Sequence, residues 1–507
     1  YHSKKFRMKN LLLVSIVIAV VFALPKSLWA FCGFYVAKAD ASLFNEASEV
    51  ILVRDGNRTT LTMSNDFSGN VNDFAMVVPV PVVLQEADIR VVERSIFDNI
   101  DAYSAPRLVE YYDTDPCQPV HAYKERSSAP KAATVMESKS RAETTDADYG
   151  VTIEAKYAVG EYDILILSAT ESVGLKRWLL DNGYKIPATA HEVLDPYIKS
   201  NLKFFVVKVN VDLQQESQLL RPIQITYESP KFMLPIRLGM ANSRGNQDLL
   251  VYAFSRKGRI ECTNYRTINA PTGKKIPEFV KDNFGKFYVD VFRKSWLYHG
   301  KNAVFLEYAW DVTPQNTGMK CDPCVAPPPY YNDMQQAGVS WQQQANRGGY
   351  DPSQRVFFTR LHVRYGRSYF AQDLQFQETP NTESFQARYI ITHPARSTFS
   401  CPEAQTYLQS LVKRRQEELT QLRQLAGWDV SNRQDYVTAY SSLLKKNKSQ
   451  KQDAPFGFFF DDDDSGSHPP FAPIGILVGG IAVLLAIIIL YTQKSQQKTL
   501  NQSTVTS

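Results

Sequence analysis

The sequence lacks the short motifs that identify many common enzyme classes. It contains no His-Glu-x-x-His zinc motif, no Gly-x-Ser-x-Gly nucleophile elbow, no P-loop and no Gly-x-Gly-x-x-Gly dinucleotide fingerprint. It has no second Cys-x-x-Cys, and His299 and His362 are not at the spacing of zinc ligands. The sequence therefore points to no cofactor and no metal site, and it leaves any catalytic residues unknown.

The body of the chain also lacks an excess of basic charge. The net charge of +5 comes from the two ends, because residues 1–30 carry five basic and no acidic residues, and residues 471–507 carry two basic and no acidic ones. Removing these seven from the 57 basic residues leaves 50 against 52 acidic residues in between. This balance argues against nucleic acid as a partner.

What the sequence does have is enough apolar residues to fold. Of its 507 residues 44% are hydrophobic and 12% are aromatic, which excludes disordered and collagen-like chains. At about 100–200 residues per domain, this length allows two to four domains.

The N-terminus predicts an export signal. Lys4, Lys5, Arg7 and Lys9 precede an apolar run from Leu11 to Leu24, and Ala30 supplies a small residue for cleavage. We expect residues 1–30 to be a signal peptide with an N-terminal extension before Met8, cleaved after Ala30. An uncleaved N-terminal anchor is the alternative.

The C-terminus predicts a single membrane span. Residues 471–491 form an uncharged run of about 21 residues, long enough to cross the hydrocarbon core. Acidic residues Asp461–Asp464 precede it, and Lys494 and Lys498 follow it, so residues 31–470 are expected outside the cytoplasm. We interpret 447–470 as an acidic tether rather than a calcium site, and 492–507 as a cytoplasmic tail. The expected topology is single-pass, with the bulk of the chain outside the cytoplasm.

The pattern between the two ends predicts a mixed α+β fold with strand-rich mixed or antiparallel sheets and packed helices. Asp55-Gly56 lies between two apolar runs and predicts a hairpin turn. Polar residues 118–148 predict a disordered loop, and a bilobed arrangement about this loop is one that the pattern allows. The expected divisions are 31–117, a strand-rich N-terminal part; 149–318, a central α+β part; 319–350, a Pro/Gln-rich loop; and 351–446, strands and a long helix.

Strands and helices are expected at defined places. Ser168-x-x-Glu171 and Ser400-x-x-Glu403 have the spacing of capping boxes and predict helices after them. The second helix carries an apolar stripe and ends at Gly427. Strands are predicted at Glu49–Val53, Thr59–Met63, Phe74–Val80, Val151–Ala158, Tyr162–Leu167, Phe204–Val211, Gln224–Tyr227, Phe232–Ile236, Asp248–Phe254, Tyr288–Phe292, Val304–Tyr308, Val356–His362 and Phe385–Ile391.

The six cysteines all lie in the part expected outside the cytoplasm, and an even number there favours structural disulfides. Fifteen pairings are possible, and the sequence does not choose among them. Cys321-Asp322-Pro323-Cys324 is followed by Pro327–Pro329, which prevents the helix that would lower the pKa of a redox-active thiol. The disulfide candidates are Cys32, Cys117, Cys262, Cys321, Cys324 and Cys401.

Several segments in order resemble a bacterial exported family catalogued as domain of unknown function 2330. The resemblance covers about residues 31–430, and it implies a bacterial envelope protein, often with a signal peptide and a C-terminal anchor, but no activity. With the single-pass topology, the expected location is a bacterial membrane, with the bulk of the chain periplasmic or at the cell surface. The segments that carry it are Cys32–Val36, Ala47–Val50, Arg54–Thr59, Phe74–Pro81, Pro106–Tyr111, Asp181–Pro187, Leu234–Gly239, Cys321–Cys324 and Phe376–Thr379.

Four polar residues in these segments form a speculative site: Arg54, Asp55, Arg237 and Glu378. Each has a structural alternative, a turn or an ion pair at the end of a strand. The leading interpretation is a membrane-anchored binding or scaffolding module whose partner is an envelope protein or a surface ligand. The alternative is an extracytoplasmic enzyme of unrecognised type, with a thiol-disulfide or hydrolytic activity.

Overall fold

The Asp55-Gly56 turn forms as the sequence predicts. Gly56 has a positive φ of 58° and joins strand β2 (Ala47–Asp55) to strand β3 (Arg58–Met63) in an antiparallel hairpin. The computed structural model describes residues 34–35, 47–64, 75–118, 150–182, 184, 190–209, 220–241, 245–314, 326–343, 351–396 and 398–441.

The hairpin belongs to a mixed sheet of nine strands. β2 runs parallel to β12 (Gln247–Ser255) on one side and antiparallel to β3 on the other. In spatial order the strands are β14 (Arg266–Asn269), β16 (Ala303–Asp311), β17 (Phe357–Tyr365), β12 (Gln247–Ser255), β2, β3, β10 (Ile223–Glu228) and β5 (Ile89–Val91), with β19 (Phe385–Gln386) beside β16.

A second sheet of five antiparallel strands packs on the first. Its strands are, in spatial order, β1 (Phe34–Tyr35), β4 (Ala75–Val80), β9 (Lys203–Val209), β8 (Tyr162–Ala169) and β7 (Val151–Val159). Two small sheets complete the strands: β11 (Met233–Leu234), β18 (Leu374–Glu378) and β13 (Ile260–Cys262) in one, and β15 (Lys274–Lys275), β20 (Arg388–His393) and β6 (Arg107–Tyr112) in the other.

Seven α-helices lie among the described residues. They are α1 (Ser95–Ser104), α2 (Ser172–Asp181), α3 (Ala190–Lys199), α4 (Arg237–Ala241), α5 (Phe284–Tyr298), α6 (Tyr331–Ala337) and α7 (Glu403–Ala426). No helix among the described ranges has both the length and the apolar character needed to cross a bilayer. The expected span 471–491 lies outside those ranges, as do the expected signal peptide, tether and tail.

The core lies between the two large sheets. Along β2, Val50 and Leu52 face the five-stranded sheet, where they share a buried cluster with Met76 of β4. Ile51 and Val53 face the other way, because successive strand residues alternate between the faces, and they pack with residues of α1 and α6. The outer face of the five-stranded sheet packs in turn against α2 and α3. The part of the described chain built on the two large sheets therefore has four layers, with helices on both outer faces.

This arrangement does not divide at the loop 118–148. β2, β3 and β5, which precede the loop, are hydrogen-bonded to β12 and β10, which follow it. The bilobed arrangement is therefore wrong for the described residues. The described residues nearest to the loop are Gln118 on one side and Gly150 on the other. Residues 119–149, which make up almost all of the predicted loop, lie outside the described residues.

One predicted strand is wrong. Tyr288–Phe292 lies within helix α5, whose buried residues Phe287, Val291, Phe292 and Trp296 repeat at helical spacing. The segment is rich in aromatic and β-branched residues, so a five-residue window has the composition of a strand, and only the longer period reveals the helix.

The two predicted capping boxes are also wrong, although both helices exist. Ser168 lies at the end of β8 and donates a hydrogen bond to Glu154, while α2 begins after Glu171 without a side-chain cap. Helix α7 begins after Pro402, again without a side-chain cap. Its predicted apolar stripe is confirmed, since every member is buried, and Gly427 ends the helix with a φ of 75°. The stripe is Ala404, Leu408, Leu411, Arg415, Leu419, Leu422 and Ala426.

The expected loop 319–350 contains an ordered helix. Within α6, Met334 and Ala337 are buried beneath the large sheet, and Trp341 just beyond the helix joins the same cluster. Gly338 ends α6 with a φ of 100° and lies against Thr60, where a Cβ atom would be 2.5 Å from the threonine methyl carbon. The burial of these three apolar side chains stabilises a segment whose polar composition indicates a loop.

The cysteines follow the expectation only in part. Cys117, just after β6, forms a disulfide with Cys401, just before α7. Cys262 is instead a buried free thiol, so its place among the disulfide candidates is corrected. Cys262 lies on β13 opposite Phe376 of the neighbouring strand β18, and its Sγ lies 3.3 Å from Asn264 Oδ1. Cys32, Cys321 and Cys324 lie outside the described residues.

Candidate functional site

A cavity of about 490 Å³ opens beside the small sheet β11–β18–β13. Three other segments contribute to it: the end of α3, the chain that enters β11, and the start of α4. Its lining is Tyr197, Ser200, Leu202, Pro230, Lys231, Phe232, Met233, Arg237, Thr263, Gln372, Asp373, Gln375 and Phe376. The volume lies within the range of about 300–1,000 Å³ that is typical of small-molecule sites.

Asp373 holds the polar side of the cavity together. Its Oδ1 accepts hydrogen bonds from the Tyr197 hydroxyl at 2.7 Å and from the backbone N–H groups of Ile236 at 2.9 Å and Arg237 at 3.1 Å. Its Oδ2 accepts from Arg237 Nη2 at 2.8 Å and Nε at 3.2 Å. The carboxylate thus connects α3, the start of α4 and β18, and it is 4% exposed.

Tyr197 and Arg237 are fixed by the same contacts. The guanidinium carbon of Arg237 lies 4.9 Å from the centroid of the Tyr197 ring. Burial raises the pKa of Tyr197 well above its ordinary value, and the neighbouring Asp373 charge raises it further. Burial lowers the pKa of Arg237, but the hydrogen bonds and charge of Asp373 outweigh this and raise it. Tyr197 therefore stays neutral and Arg237 stays charged at physiological pH.

Two aromatic residues also line the cavity, Phe232 and Phe376. The rings of Phe232 and Phe376 lie 5.5 Å apart, and the backbone N–H of Phe376 donates to Phe232 O at 2.8 Å. A smaller recess next to the cavity shares Leu202, Lys231 and Met233 with it. This recess is completed by Pro79, Pro81, Tyr227 and Pro235.

Of the four polar residues singled out in the sequence, Arg237 lines the cavity and the other three lie behind or away from it. Arg54 is buried, donates to Thr59 Oγ1 at 2.6 Å, and lies 5.0 Å from the centroid of the Phe232 ring. Asp55 forms a two-pronged ion pair with Arg256 at 2.6 and 2.8 Å. The structure therefore does not bring the four side chains into one site.

Glu378 lies close to the Asp55–Arg256 pair. Its Oε1 accepts hydrogen bonds from the backbone N–H groups of Arg256 at 3.0 Å and Lys257 at 2.9 Å. Its Oε2 lies 3.2 Å from Lys257 Nζ. Arg256 in turn lies over the Trp341 ring at 4.8 Å and donates to Ser353 O at 2.8 Å. These contacts connect β2, β12 and β18 and give Asp55 and Glu378 structural partners.

A second polar cluster lies inside the large sheet. Glu307 on β16 is almost fully buried and accepts from Arg360 Nε at 2.7 Å and from the Tyr288 hydroxyl, and its Oε1 lies 2.9 Å from His362 Nδ1. His362 Nε2 lies 3.4 Å from Asp248 Oδ1, and the Phe292 ring stacks on the imidazole at 3.7 Å. The cluster joins β12, β16 and β17 to helix α5.

The pKa values of this cluster are shifted in opposite directions. Burial raises the pKa of Glu307, but the charges and hydrogen bonds of its neighbours, His362 first, outweigh this and lower it to about 2. Burial lowers the pKa of His362, but Glu307 and Asp248 outweigh this and raise it above its ordinary value. The two carboxylates therefore favour the protonated form of the imidazole between them.

We expect the free energy of unfolding to fall as the pH rises above about 6.5. A raised histidine pKa contributes its full stability below the unfolded value of 6.5 and loses it as the pH rises through the folded pKa. The low pKa of Glu307 has the opposite sign, so its contribution is present above 4.5 and is lost toward about 2. Urea unfolding at several pH values should show the alkaline loss in the wild type and a smaller loss in His362→Gln. Equal alkaline losses in the two proteins would contradict the assignment.

Among the described residues, no group of three or more His, Cys, Asp or Glu side chains is arranged to hold a metal ion. Sequence reasoning found Arg237 but missed Tyr197, Lys231 and Asp373. One signal was available for Asp373, because it comes directly before β18, which overlaps the segment Phe376–Thr379. Arg237 lies in the segment Leu234–Gly239. Both segments carry the family resemblance, and the structure places them side by side in β11, β18 and α4.

The fold and the cavity together define the class of this protein, a strand-rich α+β protein with a partly enclosed pocket at the edge of its core. The chain belongs to a bacterial family described as "uncharacterized protein conserved in bacteria (DUF2330)", whose sequence model matches residues 26–377. This range contains every residue that lines the cavity. No curated protein and no solved structure matches the chain.

Proposed function

We propose that this protein is a membrane-anchored, extracytoplasmic binding module of the bacterial envelope and that it holds its ligand in the cavity beside β11–β18–β13. The observation that carries the proposal is the cavity itself, about 490 Å³ in volume, with a polar side fixed by Asp373 and an aromatic side of Phe232 and Phe376. Convergent polar groups beside an apolar wall are the usual composition of a ligand site. The location rests on the export signal predicted at 1–30 and the span predicted at 471–491.

Binding fits the cavity better than catalysis does. Asp373 is the one carboxylate that the described residues contribute to the lining, and its two oxygens already accept five hydrogen bonds. A carboxylate with its lone pairs so occupied is a poor general base, because taking a proton would break these bonds. The hydroxyl of Tyr197 is held by the same carboxylate, and its raised pKa disfavours the nucleophilic phenolate.

A tryptophan at position 375 should block the cavity. Gln375 lies on β18 among the residues that line the cavity, it is exposed, and it makes no side-chain hydrogen bond with a described residue, so we expect a larger side chain to fit there at little cost to the strand. We expect saturation-transfer NMR of a library of small aromatic fragments to find binders of the full-length wild type whose signals vanish in Gln375→Trp.

Gln377→Trp is the matched control. Gln377 is exposed on the same strand, two positions further along, but does not line the cavity. It should bind the fragments as the wild type does. Fragments that bind all three proteins equally, or the absence of any binder of the wild type, would overturn the cavity as the functional site.

A further inference from the structure

The cavity carries a net positive charge that its own residues leave unbalanced. Among the described residues, three charged side chains line it: Lys231, Arg237 and Asp373. Asp373 and Arg237 neutralise each other in a two-pronged pair. Lys231 is exposed and forms no ion pair with any other residue that the structure describes. The lining therefore presents one uncompensated positive charge.

Arg237 also keeps hydrogen-bond donors for a ligand. Its ion pair with Asp373 uses Nε and Nη2, and its guanidinium also contacts the Tyr197 side chain, while Nη1 takes no part in the pair with Asp373. A guanidinium presents its donors in a planar fork that matches a carboxylate or a phosphate. Because Asp373 fixes the other edge of this fork, Nη1 is already oriented before a ligand arrives, and little conformational entropy is lost on binding.

The aromatic side adds a second requirement. Phe232 and Phe376 provide a wall suited to an apolar or aromatic group. The Arg54 guanidinium lies behind this wall, over the Phe232 ring, and forms no ion pair with a described residue. Its positive charge raises the electrostatic potential on the cavity side further, although Glu378 lies near enough to offset part of it.

We infer that the ligand is an organic carboxylate with an aromatic group close to the charged end. Arg237 and Lys231 would take the carboxylate, and Phe232 and Phe376 would take the ring. This inference rests on the proposed function, since it concerns the same cavity. The chemistry is shared by free aromatic acids and by peptides that end in an aromatic residue, and the cavity volume accommodates either a single such residue or the end of a short chain.

Two matched pairs of probes test the charge. N-acetyl-phenylalanine is compared with its amide, and Gly-Gly-Phe with Gly-Gly-Phe amide, by NMR titration of the full-length protein in detergent. We expect each acid to bind roughly tenfold more tightly than its amide at low salt, since hydrogen bonds to a charged group are the stronger kind. The preference should shrink with added salt, because Lys231 is exposed to solvent. Tighter binding of the tripeptide acid identifies a peptide end, and tighter binding of the single residue identifies a free acid.

Lys231→Gln removes the uncompensated charge and should reduce the preference for the acid several-fold, without changing the affinity for the amide. Lys274→Gln, an exposed lysine on β15 in a different sheet from the lining residues, is the control and should leave the preference unchanged. Equal binding of acid and amide to the wild type would overturn the inference. If the probes still compete with fragments that Gln375→Trp excludes, the proposed binding function stands and only the inferred class of ligand is wrong. If no probe shows binding that depends on the cavity, both the binding function and the class of ligand are overturned.

Discussion

Asp373→Ala is expected to lower the free energy of unfolding by about 3–5 kcal/mol, the usual cost of removing one partner from a buried ion pair. The substitution leaves the Arg237 guanidinium, the Tyr197 hydroxyl and two backbone N–H groups without their acceptor. The start of α4 and the end of α3 would lose their common contact with β18. Urea unfolding followed by circular dichroism measures the loss, and fragment binding should disappear with it.

Asp181→Ala provides the comparison for this result. Asp181 is an exposed residue at the end of α2, and its replacement should change the free energy of unfolding by no more than about 0.5 kcal/mol. Asp373→Asn should fall between the two, because the amide oxygen can still accept from backbone N–H groups while the amide nitrogen faces the donors of Arg237. A loss for Asp373→Ala as small as that for Asp181→Ala would show that the carboxylate does not hold the cavity.

Removal of the Cys117–Cys401 disulfide should have an effect of similar size. The bond joins residues 284 positions apart, so it restricts the unfolded chain strongly, and loss of a native disulfide typically costs about 2–5 kcal/mol. It fastens the end of β6 to the start of α7, where Arg414 also pairs with Asp113 at 2.7 Å. The double substitution Cys117→Ser/Cys401→Ser should unfold at a lower urea concentration than the wild type under oxidising conditions.

Cys262→Ser separates the loss of a disulfide from the loss of a thiol. Because Cys262 is free, this variant should keep the Cys117–Cys401 linkage, which peptide mapping by mass spectrometry detects directly. Alkylation after unfolding without reductant should modify Cys262 and leave Cys117 and Cys401 unmodified. A linked peptide containing Cys262, or free thiols at positions 117 and 401, would contradict this pairing.

Much of the local structure could be predicted because it depends on neighbouring residues. Asp55-Gly56 specifies its turn, since glycine adopts the positive φ that the hairpin needs. The stripe on α7 specifies which side of that helix is buried. Its one charged member, Arg415, pairs with Glu418 of the same helix at 3.3 Å and with Glu278 at 2.9 Å. The predictions of local structure were wrong in two situations. At Tyr288–Phe292 a short window has the composition of a strand within the longer period of a helix, and at α6 the burial of apolar side chains overrides a polar composition.

The candidate site was less predictable than the fold. Arg237 stood out only because it lies in a segment that carries the family resemblance, and Asp55 and Glu378, which stood out for the same reason, have ion-pair partners elsewhere. Nothing in the spacing of the chain relates Asp373 to Tyr197, because 176 residues separate them. The same holds for Cys117 and Cys401, one pairing among fifteen.

The sequence by itself determined the class of fold, most of the strands, the buried side of α7 and the family, because hydrophobic periodicity and turn chemistry act over a few residues. The tertiary structure decided the order of the strands, the single unit on both sides of the loop 118–148, and the free state of Cys262. It also decided the cavity, which exists only where α3, β11, α4 and β18 meet around one carboxylate. Contacts of this kind depend on burial and on pairing between distant segments, and no local pattern encodes them.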